Sequence, residues 1–111
     1  MNIKHEIQGE IRIISLREER LDAHNSDLLK SELNSLFESG AKNIVIDLKE
    51  VRFIDSSGLG VLVSGFKNAS ARQGSLTLCS LQNQVRSMFE LTRLHRVFDI
   101  YTTIDEALEH F

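Results

Sequence analysis

The run IVIDL at residues 44–48 is followed, after a short connection, by IDSSGLG at residues 54–60. The first run is almost entirely apolar, which is typical of a strand covered on both faces of a sheet. The second run places a carboxylate and two hydroxyls where the chain enters a helix predicted to begin at Ser57. Such a junction predicts an α/β fold whose binding residues lie beyond the carboxyl ends of its strands.

Strands and helices alternate on both sides of this junction. Upstream, apolar alternation predicts an antiparallel hairpin within residues 3–16, and helical spacing predicts an amphipathic helix over about 26–39. Downstream, the patterns predict a strand near 76–79, a helix over about 82–92, a short edge strand near 98–101 and a last helix with a capping box. The order β-β-α-β-α-β-α-β-α indicates one domain over residues 1–111, with a mixed, mostly parallel sheet of four to five strands and four helices.

Three local features complete this prediction. The charged segment at residues 17–20 is predicted to be a solvated connection. Val51, Phe53 and Ile54 are predicted to return the chain to the core. Gly74 is predicted to end the helix that begins near Ser57.

Composition narrows the classes of function. The chain of 111 residues carries a formal net charge of -3 and has no long basic run, which argues against a nucleic-acid surface. No apolar run approaches the roughly 20 residues that span a bilayer, so we expect no direct membrane insertion. The single cysteine, Cys79, can form no intrachain disulfide. We therefore expect a cytoplasmic location.

The junction itself suits a switch controlled by charge. With a helix beginning at Ser57, Ser56 is the predicted N-cap, and a phosphate on its hydroxyl could accept free N–H groups at the positive end of the helix. Gly58 and Gly60 would leave the first turn open to a partner or a kinase. Asp55 would add a negative charge beside the phosphate, which would repel a partner matched to the uncharged serine. The same residues also suit an ordinary cap and close helix packing.

Enzyme motifs do not account for this junction. The chain has no phosphate-binding loop, no third glycine of a dinucleotide fingerprint and no nucleophile elbow around Ser56. Asp47 and Asp55 lack an accompanying phosphate loop that would indicate magnesium, and Cys79 suits a small buried side chain better than a nucleophile. We predict no catalytic residue, no metal site and no cofactor. The histidines do not show the spacing of a helical zinc pair: His5, His24, His95 and His110.

The segment FIDSSGLGVL at residues 53–62 closely resembles the signature of STAS domains, in particular of bacterial anti-sigma factor antagonists. LDAHN at residues 21–25 resembles the Leu-Asp loop that precedes the first helix of that family. The order of elements also fits, so the resemblance extends over essentially the whole chain. One departure is that a glycine often precedes the Leu-Asp pair in the family, where this chain has Glu-Glu-Arg at 18–20.

This resemblance implies a function. In the family, an anti-sigma factor that is also a serine kinase phosphorylates the first hydroxyl residue after the signature aspartate, which here is Ser56. The unphosphorylated form binds the anti-sigma factor and releases the sigma factor, and a PP2C-type phosphatase restores that form. The resemblance thus implies a protein-binding switch that is not an enzyme.

Further residues around Ser56 are expected to contact the partner. Asp22 suits either a partner contact or a carboxylate that shapes the loop, Asn25 also suits a helix cap, and Ser57 suits a supporting polar role. Two other functions stay open at this point: a module that binds a nucleotide or small ligand through the same loop, and a scaffold domain that is never phosphorylated. The expected contact residues are Asp22, Asn25, Asp55, Ser57, Gly58, Leu59 and Gly60.

Overall fold

The computed structural model describes every residue from Met1 to Phe111. Its strands are β1 (Ile3–Gln8), β2 (Ile11–Leu16), β3 (Arg20–Leu21), β4 (Asn43–Asp47), β5 (Phe53–Ile54), β6 (Ser75–Cys79) and β7 (Ile100–Tyr101). Its helices are α1 (Ser26–Glu38), α2 (Ser56–Ala71), α3 (Asn83–Leu91) and α4 (Ile104–Leu108), with a single 3₁₀ turn at Leu94–Arg96. No helix has both the length and the apolar character needed to cross a membrane.

The main sheet has five strands in the order β1-β2-β4-β6-β7. β1 is antiparallel to β2, and each of the other neighbouring pairs is parallel. The hairpin turns at Gly9, whose φ of 60° is a left-handed conformation that glycine adopts at little cost. The predicted mixed, mostly parallel sheet with four helices is confirmed.

Both faces of the sheet are covered, which explains the apolar run in β4. Ile44 and Ile46 pack against a core to which α1, α2 and α3 contribute, and Val45 packs on the opposite face with Ala107 of α4. Because successive side chains of a strand point to opposite faces, a strand buried on both sides must be apolar throughout. Asp47 is the one buried polar residue of β4, and its carboxylate accepts hydrogen bonds from Ser15 Oγ and the Lys49 N–H.

A second, two-stranded sheet lies outside the main one. β3 and β5 pair in parallel, with Arg20 opposite Phe53 and Leu21 opposite Ile54. The segment at 17–20 was predicted to be only a connection, and this prediction is wrong at Arg20. Phe53 was predicted to enter the core, but 45% of its surface is exposed, because in a strand it must point away from the buried Ile54.

The ends of α2 also differ from the prediction. The helix begins at Ser56 rather than Ser57, and Asp55 is its N-cap. It ends before Gln73, whose φ of 62° is the left-handed conformation expected of Gly74. Gly74 is required for a different reason, since a Cβ at this position would overlap the carbonyl oxygen of Lys42.

The position of Cys79 predicts an unreactive thiol. Burial in β6 raises the pKa of this thiol to about 11, and the nearby Asp47 carboxylate acts in the same direction. Only about 0.1% would be thiolate near pH 8. We expect the folded protein to react with Ellman's reagent only as it unfolds, and the denatured protein to react at once. Rapid reaction of the folded protein would contradict this placement.

Candidate functional site

The carboxylate of Asp55 joins two segments at the start of α2. Its Oδ1 accepts a hydrogen bond from the N–H of Gly58 at 3.0 Å, which is the usual contact of a helix N-cap. Its Oδ2 accepts a hydrogen bond from the N–H of Ala23 at 3.2 Å. The N–H of Asp55 in turn donates to the carbonyl of Leu21. One side chain therefore both begins the helix and holds the loop at 22–25 beside it.

Ser56 is the first residue of α2, and it is exposed. The prediction that Ser56 is the N-cap is wrong, because Asp55 occupies that position. The Ser56 hydroxyl consequently makes no hydrogen bond within the protein. The N–H groups of Ser56 and Ser57 also have no acceptor within the protein, as expected for the first turn of a helix.

Asp22 shapes the loop rather than presenting a free carboxylate. It is buried, and it accepts hydrogen bonds from Arg20 Nε and from the N–H of His24, each at 3.0 Å. The Arg20 hydrogen bond, followed by the His24 one, holds the pKa of this carboxyl below its ordinary value. Of the two roles that the sequence left open, the geometry favours the structural one.

Asn25 has a related role in the same loop. It occupies the N-cap position of α1, but its side chain makes no cap hydrogen bond to the helix. Its Oδ1 accepts from the N–H of Asp22 at 2.9 Å, and its Nδ2 donates to the carbonyl of Arg20 at 2.7 Å. Asn25 therefore closes the loop on itself, which makes the loop a rigid part of the surface.

Gly58 and Leu59 face the core, whereas Ser57 is half-buried and Gly60 is exposed. A Cβ on Gly58 would lie 2.5 Å from the carbonyl oxygen of Leu21, and a Cβ on Gly60 would meet nothing within 4 Å. The expectation that both glycines leave the first turn open is correct for Gly60 and wrong for Gly58. Gly58 and Leu59 position α2, and they offer no exposed side chain to a partner.

Arg20 and Phe53, which are not among the expected contact residues, lie beside the site. The guanidinium of Arg20 sits 4.3 Å from the ring centroid of Phe53, a cation–π contact at the surface. Both side chains are exposed, at the end of the small sheet next to Ser56. A two-residue strand is too short to show a periodic pattern, so the sequence did not predict this contact, although Phe53 is the first residue of the signature.

A groove of about 520 Å³ runs from Ser56 towards α3. Residues 52–56 form one wall, and Gln84 and Met88 form the other. The second wall comes from a helix about 30 residues later in the chain, so its position was not predictable from the signature. In the whole structure, no three acidic, histidine or cysteine side chains lie close enough together to hold a metal ion.

Comparisons with known proteins identify the family. The family model for the STAS domain matches residues 2–107. The chain belongs to the STAS domain family. The anti-sigma-B factor antagonist of Bacillus subtilis (strain 168) is 38% identical to it over 80 residues, which cover 72% of each chain. The anti-sigma F factor antagonist of Paenibacillus polymyxa is 27% identical over 110 residues, covering 97% of this STAS domain and 94% of that protein.

A solved structure agrees with the fold. An anti-sigma-factor antagonist (STAS) domain protein from Planctomyces limnophilus superposes with a TM-score of 0.88 at 26% identity. The match covers 97% of this STAS domain and 96% of that chain. The resemblance to bacterial anti-sigma factor antagonists is therefore confirmed at the level of family and fold.

The contacts of Gly58 predict opposite effects for two glycine substitutions. Gly58→Ala should lower the free energy of unfolding by about 1–3 kcal/mol, because α2 must move away from Leu21. Gly60→Ala is the matched control and should raise it by about 0.5–1 kcal/mol, because alanine favours an exposed helix interior. Urea unfolding followed by circular dichroism measures both. Equal effects of the two substitutions would contradict the packing described for Gly58.

The lowered pKa of Asp22 predicts a stability difference that depends on pH. Asp22→Asn should lower the free energy of unfolding near neutral pH, because the charged carboxylate that Arg20 and His24 hold is lost. The gap between the two proteins should be present above about pH 4, the ordinary range of aspartate, and should shrink as the pH falls through the lower pKa of the folded state. Glu10→Gln in the exposed hairpin turn is the control. A gap that stays constant down to pH 2 would contradict this role.

Proposed function

We propose that this STAS domain is an anti-sigma factor antagonist that acts by binding rather than by catalysis, and that phosphorylation of Ser56 controls its binding. The observation that carries the proposal is an exposed serine at the first position of α2 whose hydroxyl makes no hydrogen bond within the protein. Because Asp55 caps the helix, Ser56 can be modified without loss of a cap. The named functions of the relatives give the proposal its partner class.

The surface around Ser56 supplies the binding contacts in this proposal. We define the Ser56 surface as the exposed or half-exposed residues Ala23, His24, Phe53, Ser56, Ser57 and Gly60. The contact between Asp55 and Ala23 brings the loop and the helix into this one surface. Asp22 and Asn25 contribute by holding the loop in shape, and Gly58 and Leu59 contribute by holding α2 in place.

A phosphate on Ser56 would change charge at this surface and leave the packing beneath it intact. It adds about -1.5 to -2 charges at neutral pH beside the Asp55 carboxylate. Its oxygens can accept from the unpaired N–H groups of Ser56 and Ser57, at the positive end of the helix. A partner surface that fits the neutral serine would then face a dianion, and binding would weaken through local electrostatics.

The proposed circuit has two further proteins. An anti-sigma factor with serine kinase activity binds the unphosphorylated form, so that its sigma factor is released, and phosphorylates Ser56. A PP2C-type phosphatase removes the phosphate and restores binding. Because the kinase would use ATP and a sigma factor acts on transcription, the proposed circuit is a cytoplasmic one.

The groove between Ser56 and α3 favours a second candidate function. Its volume of about 520 Å³ lies within the range of about 300–1,000 Å³ that is common for ligand sites, and Arg52, Asp55 and Gln84 give it polar groups. A nucleotide or small ligand would then bind beside Ser56. Calorimetric titration with ATP and GTP tests this candidate: saturable binding that Arg52→Ala abolishes would support it, and no heat of binding would exclude these two ligands.

Substitution of Ser56 separates phosphorylation from binding. Phosphorylated protein should bind its cognate anti-sigma factor about a hundredfold more weakly than unphosphorylated protein, a loss of about 3 kcal/mol. Ser56→Asp should weaken binding in the same direction, with a smaller effect because it adds one charge rather than nearly two. Ser56→Ala should bind like the unmodified protein and resist the kinase.

Ser57→Ala is the matched control, because Ser57 is the adjacent serine on the same helical turn and is half-buried. It should still accept one phosphate from the kinase and ATP, and fragment mass spectrometry should place that phosphate on Ser56. Phosphorylation of Ser56→Ala at another residue, with the same loss of binding, would contradict the proposal.

A further inference from the structure

We propose that this STAS domain self-associates through β1, with two copies pairing antiparallel about His5 so that their sheets become continuous. β1 is the outermost strand of the main sheet, and β2 is its sole neighbour there. All six of its residues pair with β2 along one edge, and the opposite edge has no partner strand. An unpaired edge of this length is a template for another strand.

The backbone groups that face outward alternate along β1. The N–H of Arg17 donates to the carbonyl of Asn2, so Asn2 belongs to the set of residues that bond inward to β2. In an antiparallel pair every second residue bonds to the same neighbour, which places Lys4 and Glu6 in the inward set. The N–H and C=O groups of Ile3, His5 and Ile7 therefore point away from the sheet.

The sequence of β1 complements itself in one register. If His5 lies opposite His5 of the second copy, Ile3 lies opposite Ile7 of that copy and Lys4 lies opposite its Glu6. The outward-facing residues then pair with each other, as the hydrogen bonds of an antiparallel ladder require. On either side of the central His5–His5 pair, the opposed residues are matched, isoleucine with isoleucine and lysine with glutamate.

The charges of β1 select a second copy over an unrelated strand. Lys4 and Glu6 project from the same face and form an ion pair at 2.9 Å, with their side chains 50% and 44% exposed. In the proposed register the two ion pairs form a four-charge array in which each charge lies opposite one of the other sign. A strand of another sequence would leave charges unmatched, which is how charged residues normally protect an edge.

Two exposed apolar side chains lie where this pairing would cover them. Ile7 and Leu28 are 64% and 53% exposed. The contact between His5 Nε2 and Glu32 Oε1, at 2.8 Å, ties β1 to α1. Leu28 lies one helical turn before Glu32, and Ile3 lies two residues before His5. Each is therefore roughly 6–7 Å from the His5–Glu32 contact, in the same direction along the chain. Ile7 of the second copy, opposite Ile3, would therefore also approach Leu28.

The interface would be small and the dimer reversible. A pair of six-residue strands with one helical turn on each side lies at the low end of protein interfaces, so we expect dissociation constants on the order of 10–100 µM. None of the residues of the Ser56 surface belongs to β1. The dimer would therefore present two Ser56 surfaces and would bind a dimeric partner with increased avidity.

Charge exchange within β1 tests this register. Sedimentation velocity from about 1 to 500 µM should show a concentration-dependent dimer of the unmodified protein. Glu6→Lys or Lys4→Glu alone should raise the dissociation constant at least tenfold, because each places like charges opposite each other twice in the symmetric pair. The double variant Lys4→Glu/Glu6→Lys should restore the dimer, and an equal mixture of the two single variants should form a heterodimer.

Leu91→Thr is the control for a general loss of exposed apolar surface, since Leu91 is 80% exposed and lies outside β1, in α3. It should leave the dissociation constant unchanged, and circular dichroism should show that all variants are folded. A protein that stays monomeric up to 500 µM would overturn the proposal. So would a dimer that the single charge variants do not weaken, or a double variant as weak as either single one.

Discussion

The structure around Ser56 depends on one carboxylate. Asp55 accepts a hydrogen bond with each of its oxygens, one from the first turn of α2 and one from the loop that precedes α1. The first contact makes a cap from Ser56 unnecessary, and the second keeps Ala23 next to the helix. Without this shared side chain, the N–H of Gly58 would lose its acceptor, and the loop would lose its hydrogen bond to the start of α2. The availability of Ser56 is thus a consequence of its neighbour's geometry.

Close packing beneath the surface makes this arrangement rigid. Because Gly58 has no side chain, α2 can approach the backbone of Leu21 closely. The parallel pairing of β3 with β5 sets the register, with Leu21 opposite Ile54. The loop at 22–25 is closed by its own side chains. A partner would therefore meet a changed charge at Ser56 on a surface whose shape stays the same. This suits a switch that acts by electrostatics rather than by unfolding.

Strong patterns in the sequence predicted most of the fold. The alternation of apolar runs and helical stripes gave the order of the main elements, because each of these elements buries a face of its own. Half of the predicted capping box at the last helix is present, with Thr103 Oγ1 accepting from the N–H of Glu106 at 3.1 Å. The Glu106 carboxylate accepts from the N–H of Thr102, one residue before the cap, rather than from that of Thr103. The missed elements, β3 and β5, have two residues each. Such short strands show no periodicity, and they exist because the chain on either side brings them together.

Sequence alone determined the family, the mixed sheet and the position of a serine at the start of α2, because these follow from local patterns and a long signature. Only the tertiary structure decided which residue caps the helix and that Gly58 packs inward while Gly60 faces solvent. It also decided that Asp22 is held by Arg20, and that Phe53 lies outside. Each of these depends on which distant segment lies nearby, and the hydrogen bonds and steric contacts between such segments form only when the chain has folded.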